Sequence, residues 1–176
     1  MVNRRLVLKS LGLLPIFNGL QWENTDCARL KTSLNSFSFD GPLKKGEINL
    51  FQVMDYCHQQ KFDAIDITGY YFPNYPSVPS NEYIFDLKRK AFQLGLEISG
   101  TGIRTDFTSP DANKRKDQIQ LVKNWVIVAQ KLGAPVIRIF AGASVPVGHT
   151  WLQTADWIIE DFKECVAFGK ENGVIV

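Results

Sequence analysis

The sequence has 176 residues, of which 45% are hydrophobic, 12% aromatic and 22% charged, with 20 basic and 18 acidic side chains giving a formal charge of +2. That composition suits a globular domain with a real core, and its near-neutral charge gives no basic footprint for nucleic acid. No stretch approaches the roughly 20 apolar residues of a membrane span, so we expect neither a nucleic-acid partner nor a spanning segment.

Residues 1–28 read differently from the rest. Asn3-Arg4-Arg5-Leu6-Val7-Leu8-Lys9 precedes the apolar Leu11-Gly12-Leu13-Leu14-Pro15-Ile16-Phe17, a pattern that resembles a bacterial twin-arginine export signal. An amphipathic first helix is the competing reading, but Gly12, Pro15 and Gly19 would interrupt it. The expectation is export to the periplasm, with a folded domain over residues 29–176. The three cysteines, Cys27, Cys57 and Cys165, lack the Cys-x-x-Cys spacing of zinc or redox sites. Cys57 and Cys165 fall among apolar residues and read as small core side chains, with one disulfide left open.

From Lys31 to Phe39 the pattern alternates as in a strand, followed by a Gly41-Pro42 turn and a helix over 47–60. Residues 62–68 form a second strand. Ser80 then caps a helix with the inward stripe Ile84, Leu87, Ala91 and Leu94, ended by Gly95. Residues 96–99 are a third strand. Pro110-Asp111 opens a long helix with Ile119, Val122, Val126 and Ala129 inward, stopped by Gly133. Residues 136–140 make a fourth strand, and Thr154 caps a fourth helix carrying Trp157, Ile158, Phe162 and Val166. Gly173-Val174-Ile175-Val176 reads as the start of strand five.

Strands alternating with helices make an α/β fold with a parallel sheet, and a closed barrel needs eight such units over roughly 250 residues. Four units are present, so the sequence is expected to be the N-terminal half of a longer protein, inactive alone and prone to self-association through its open strand edges. The loops after the strand C-termini form the rim that carries function in such folds. Here they are the long ones: Tyr70-Tyr71-Phe72-Pro73-Asn74-Tyr75-Pro76, Gly100 to Phe107, and Gly142 to Trp151.

Several charged or aromatic residues stand out against this frame. Asp66 and Arg138 each interrupt an apolar strand, and strands two and four are alternates whose side chains share a barrel layer, so the two are expected to pair. Breaking such a pair when buried costs roughly 3–5 kcal/mol. A direct substrate contact is the alternative role. Tyr70 and its neighbours either pack over a helix end or offer flat faces to sugar rings. Arg104 and Asp106 form either a local surface pair or a grip on a substrate hydroxyl, carboxylate or phosphate. His149 lies on the fourth rim loop, while His58 reads as structural. Gly100-Thr101-Gly102 lacks the third glycine of a dinucleotide loop and reads as a backbone turn. Lys88-Arg89-Lys90 and Lys114-Arg115-Lys116 read as solvated helix faces.

Ser33-Leu34-Asn35, Phe62-Asp63-Ala64-Ile65-Asp66-Ile67, Leu94 to Gly100, Leu132-Gly133-Ala134, Val136 to Gly142 and Glu171-Asn172-Gly173-Val174 together resemble the N-terminal half of the sugar phosphate isomerase/epimerase group. These are the xylose isomerase-like barrels. The resemblance implies a (β/α)8 TIM barrel represented by about four β/α units plus the start of strand five. It further implies a carbohydrate substrate converted by proton or hydride transfer between adjacent carbons, at a divalent metal (Mn, Mg, Co or Zn). The family's ligands sit on strands five to eight, so the metal and catalytic residues are expected beyond residue 176. What carries over is the substrate side: Asn35, Asp66 and Arg138. A non-catalytic carbohydrate-binding or assembly module is the alternative, and an abasic-site endonuclease relative is a third reading.

Overall fold

Each strand of the protein hands over to a helix, and the order of handing over sets the topology. In the computed structural model, which describes residues 30–176, strand β1 (Ser33–Asn35) leads to helices α1 (Asp40–Lys45) and α2 (Leu50–Gln59). Strand β2 (Ala64–Thr68) leads to α3 (Asn81–Leu94), β3 (Glu97–Gly102) to α4 (Ala112–Leu132), and β4 (Ile137–Arg138) to α5 (Trp151–Glu171). The strands form one parallel sheet in the order β1-β2-β3-β4, each joined to the next by a helical crossover; such parallel crossovers follow a right-handed rule. Val136 also makes a parallel bridge to Ile175, so the residues after α5 begin a further pairing at the β4 edge. The export-like segment and Cys27 lie outside the described residues. Lys31–Val176 forms one compact unit.

The core lies between sheet and helices. Ile65 and Ile67 of β2, with Met54 and Cys57 of α2, Ile84 and Leu87 of α3, and Val122, Trp125 and Val126 of α4, are all buried. Cys57 and Cys165 are buried free thiols, as expected of small core residues. Trp125 is the keystone of the outer layer: its Nε1 donates to the Pro76 carbonyl at 3.0 Å, and its rings contact those of Phe72 and Tyr75 at 5.4 and 5.5 Å. This packs the tyrosine-rich loop down on α4.

Helix ends follow the sequence closely. The Ser80 hydroxyl accepts from Tyr83 N–H, and Gly95 and Gly133 terminate their helices at φ 67° and 81°, a left-handed turn that favours glycine. The cap of α5 is Thr150, one turn earlier than expected, in a capping box with Gln153; Thr154 sits inside the helix and bonds back to the Thr150 carbonyl. Four other expectations are corrected.

Strand β1 is only three residues long, because the Asn35 side chain accepts from Phe37 N–H and turns the chain into a 3-10 turn over Ser36–Phe39. Gly100-Thr101-Gly102 is not a turn but the end of β3, laddered to both β2 and β4. Strand β4 is short, its role beyond Arg138 being taken over by loop pairing described below. Arg115 is not a solvated charge: it donates to Asp161 at 2.7 Å, with both side chains about 85% buried, and its guanidinium lies over Trp157.

Candidate functional site

The polar residues at the C-terminal ends of the strands are held by a chain of hydrogen bonds that the strand ends themselves supply. On β1, the Asn35 carbonyl oxygen accepts from both Phe37 N–H and the Thr68 hydroxyl, at 2.8 and 3.1 Å, leaving its amide NH2 to donate elsewhere. The buried Ser36 hydroxyl accepts from Thr68 N–H at 2.9 Å and locks the ends of β1 and β2 together.

Asp66 is in register with Asn35 on one side and Gly100 on the other. Arg138 Nη1 donates to Asp66 Oδ2 at 3.2 Å across the intervening β3, the pairing expected from sequence. The crossing is open because β3 carries glycine there. A Cβ at Gly102 would stand 2.8 Å from Arg138 Nη2 and 3.1 Å from Cζ, so the guanidinium lies flat on the strand. The pair is half-buried rather than sealed, with the Arg138 side chain 39% and the Asp66 side chain 20% exposed. Asp66 Oδ1 is buried with no hydrogen-bond partner among the described residues.

The loop after β3 is zipped to the loop after β4. Ile103 N–H donates to the Arg138 carbonyl, the Thr105 hydroxyl donates to the Phe140 carbonyl and accepts from Phe140 N–H, and Phe107 N–H donates to the Ala141 carbonyl, at 2.6–2.9 Å. These bonds fix where Arg104, Asp106 and Phe140 project. Tyr75 anchors Arg104 twice through the backbone, its hydroxyl accepting from Arg104 N–H at 2.9 Å and donating to Arg104 carbonyl at 3.0 Å. The Arg104 guanidinium lies over the Tyr70 ring at 4.7 Å. Tyr71 is turned the other way and donates to Asp40 at 2.6 Å.

Hydrogen bonding from Lys44, and then from Tyr71, holds the Asp40 carboxyl below its usual range. Burial, reinforced by that bond to Asp40, pushes the Tyr71 phenol well above its usual range, and burial raises Tyr75 as well. Asp106 does not pair with Arg104. Its Oδ1 accepts from the Thr108 N–H and hydroxyl, at 2.9 and 2.6 Å. A side chain at Gly142 would run into Asp106 and Thr108, which accounts for glycine at that close approach.

Together these groups line a cavity of about 670 Å³ at the strand ends, a volume in the range of small-molecule sites. Of the residues expected at the site, Asn35, Tyr70, Arg104, Asp106 and Arg138 line it. Asp66 stands behind Arg138. His149 sits apart, edge-on to Trp157 at 5.3 Å with Nδ1 3.3 Å from the Val147 carbonyl. Phe37, Ser38, Thr105 and Phe140 also line the cavity, whereas in sequence Phe37 reads as part of an alternating strand and Phe140 as the end of the fourth strand. Their signal was position: large apolar residues directly after a strand end, on the rim, and they remain 50% and 44% exposed.

Among the described residues no three His, Cys, Asp or Glu side chains are grouped so as to hold a metal ion. These residues therefore do not fit the divalent metal implied by the resemblance.

The family model for xylose isomerase-like TIM barrels matches residues 54–176. The chain belongs to that family. Among solved structures it is similar to D-psicose 3-epimerase with D-tagatose from Clostridium cellulolyticum, at 18% identity and TM-score 0.68, covering 82% of this chain and 50% of that one. A sugar phosphate isomerase/epimerase from Parabacteroides distasonis matches at 16% identity and TM-score 0.61, covering 92% and 54%. The IOLI protein with a bound zinc atom matches at 16% identity and TM-score 0.61, covering 82% and 49%. At these identities the likeness is one of fold. No curated protein matches the sequence. The chain spans about half the length of the solved structures it matches. The parallel four-stranded sheet with helical crossovers is the xylose isomerase-like architecture expected from sequence.

Proposed function

We propose that this chain supplies the substrate-holding half of a carbohydrate isomerase or epimerase. The observation that carries the reading is the convergence of Asn35, Arg104 and Arg138, from the ends of β1, β3 and β4, on one cavity that also presents the exposed rings of Phe37 and Phe140. Aromatic rings offer a flat apolar face to the C–H face of a sugar, while guanidinium and amide donors fix its oxygens. Arg138, oriented by Asp66, would hold a carbonyl or hydroxyl oxygen of the substrate. Proton transfer between adjacent carbons would then fall to groups other than these three. Export through the N-terminal segment, with a domain boundary near residue 28, belongs to the same proposal.

The test is isotopic. Protein isolated from its native source is incubated in D2O with a panel of ketohexoses and aldoses, and deuterium entering the carbon next to the carbonyl is read by mass spectrometry. Deuterium uptake that falls at least tenfold in Arg138→Ala supports the enzyme. Sugar binding without any exchange would favour the non-catalytic binding module instead.

A further inference from the structure

We propose that the cavity selects a carbohydrate bearing an oxyanion, a carboxylate or a phosphate, and that Arg104 is the residue that recognises it; this rests on the reading of the cavity as a carbohydrate site. Arg104 is an exposed lining residue with no carboxylate within ion-pair distance among the described residues. The acids around it are engaged elsewhere. Asp40, whose field reaches Arg104, pairs with Lys44 at 2.8 Å and accepts from Tyr71. Asp106 has one carboxylate oxygen committed to the Thr108 N–H and hydroxyl. Asp66 is committed to Arg138.

The guanidinium is placed as well as unpaired. Its backbone is clamped by the two hydrogen bonds to the Tyr75 hydroxyl, and its Cζ lies over the Tyr70 ring, 4.7 Å from the ring centre. Resting on a ring limits its motion without neutralising its charge. A fork of donors held in that way matches the two oxygens of a carboxylate or phosphate, and a neutral sugar would leave most of them to water. Arg138, the second lining guanidinium, shares its charge with Asp66 and suits the neutral oxygens of the same ligand.

The experiment titrates the full chain with D-galacturonate, D-galactose and D-galactose 6-phosphate by saturation-transfer NMR and calorimetry. The expected result is an anionic sugar bound about tenfold or more tightly than galactose, as a charge-assisted contact gives, with the advantage shrinking as salt rises. The carboxylate and phosphate arms tell the two oxyanion sources apart. Arg104→Gln should bring the anionic-to-neutral ratio close to one, while Arg104→Lys should keep part of it. Equal binding of all three sugars overturns the anion selectivity and leaves the carbohydrate reading standing. An anion preference that persists in Arg104→Gln overturns the assignment to Arg104. Binding of no sugar at all overturns the carbohydrate reading itself. Thermal melts of both variants confirm that each is folded.

Discussion

Arg138 reaches Asp66 over the backbone of Gly102, so one ion pair ties alternate strands together across the strand between them. That arrangement ties fold to site, because the guanidinium fixed by the pair is the one that lines the cavity. It also sets the size of the pair's contribution. With Arg138 two-fifths exposed, solvent screens the charge, so replacing one partner should cost about 1–2 kcal/mol rather than the larger figure of a sealed pair. A double-mutant cycle on Asp66→Asn and Arg138→Met, read by urea denaturation, should show a coupling of about 1 kcal/mol. Strict additivity would mean that the two do not interact in solution.

Two glycines near this pair should respond in opposite ways to gaining a methyl group. At Gly102 the added Cβ meets only the end of the flexible Arg138 side chain, so Gly102→Ala should cost under about 1 kcal/mol of stability yet shift the guanidinium and weaken ligand binding. At Gly69 it meets Trp125 Cζ3 at 2.7 Å and the Gly102 carbonyl at 3.0 Å, parts of the core that cannot step aside. Gly69→Ala should cost about 2–3 kcal/mol. Chemical denaturation of the two variants side by side decides the matter, and a larger loss in Gly102→Ala contradicts this packing.

Trp125 tests the anchoring of the tyrosine loop. Trp125→Phe keeps an aromatic ring in the core but removes the hydrogen bond to Pro76, for an expected loss of about 1–2 kcal/mol. Because that loop carries Tyr70 and Tyr75, amide exchange over residues 70–76 should quicken more than exchange in α2. Uniform quickening across the domain would show that the loop does not depend on the tryptophan.

Burial pushes the Cys57 and Cys165 thiols up to about 11, from an ordinary value of 9.0. In the unfolded chain these groups lose their protons at lower pH than in the folded one. Their contribution is therefore fully present below about pH 9 and is lost as pH rises toward 11, with Tyr71 adding to the loss above its ordinary 10.0. The urea midpoint should stay flat from these groups between pH 7 and 9 and then fall. Iodoacetamide at pH 8 should leave both cysteines unmodified in the native protein and label them after unfolding. Rapid labelling of the native state would place a thiol at the surface.

How much of this was legible in the sequence follows from what each residue answers to. Ser80, Asp111, Gly95 and Gly133 respond to local backbone demands, and they mark helix ends where the structure has them. The Asp66–Arg138 pairing was readable because a charge inside an apolar strand needs a partner, and alternate strands are the nearest source of one. What stayed hidden depended on side chains reaching between elements. Asn35 ends its own strand by bonding forward to Phe37 N–H, and Thr105 extends the β3–β4 pairing through its hydroxyl rather than its backbone. The tyrosine-rich loop divides in a way that composition does not signal: Phe72 and Tyr75 pack on Trp125, Tyr71 bonds Asp40, and Tyr70 alone lines the cavity. Arg115 looked like part of a basic run, yet the partner that buries it, Asp161, lies 46 residues away.

The central claim is that the strand-end cavity is the ligand site, and amide mapping of the isotopically labelled chain tests it most directly. Titration with D-galacturonate should move the amide signals of Asn35 to Ser38, Arg104 to Asp106 and Arg138 to Ala143, and leave those of Phe92 and Leu132 at the opposite end of the helices unmoved. Shifts centred on Phe92 and Leu132, or no shifts at saturating sugar, would contradict the account.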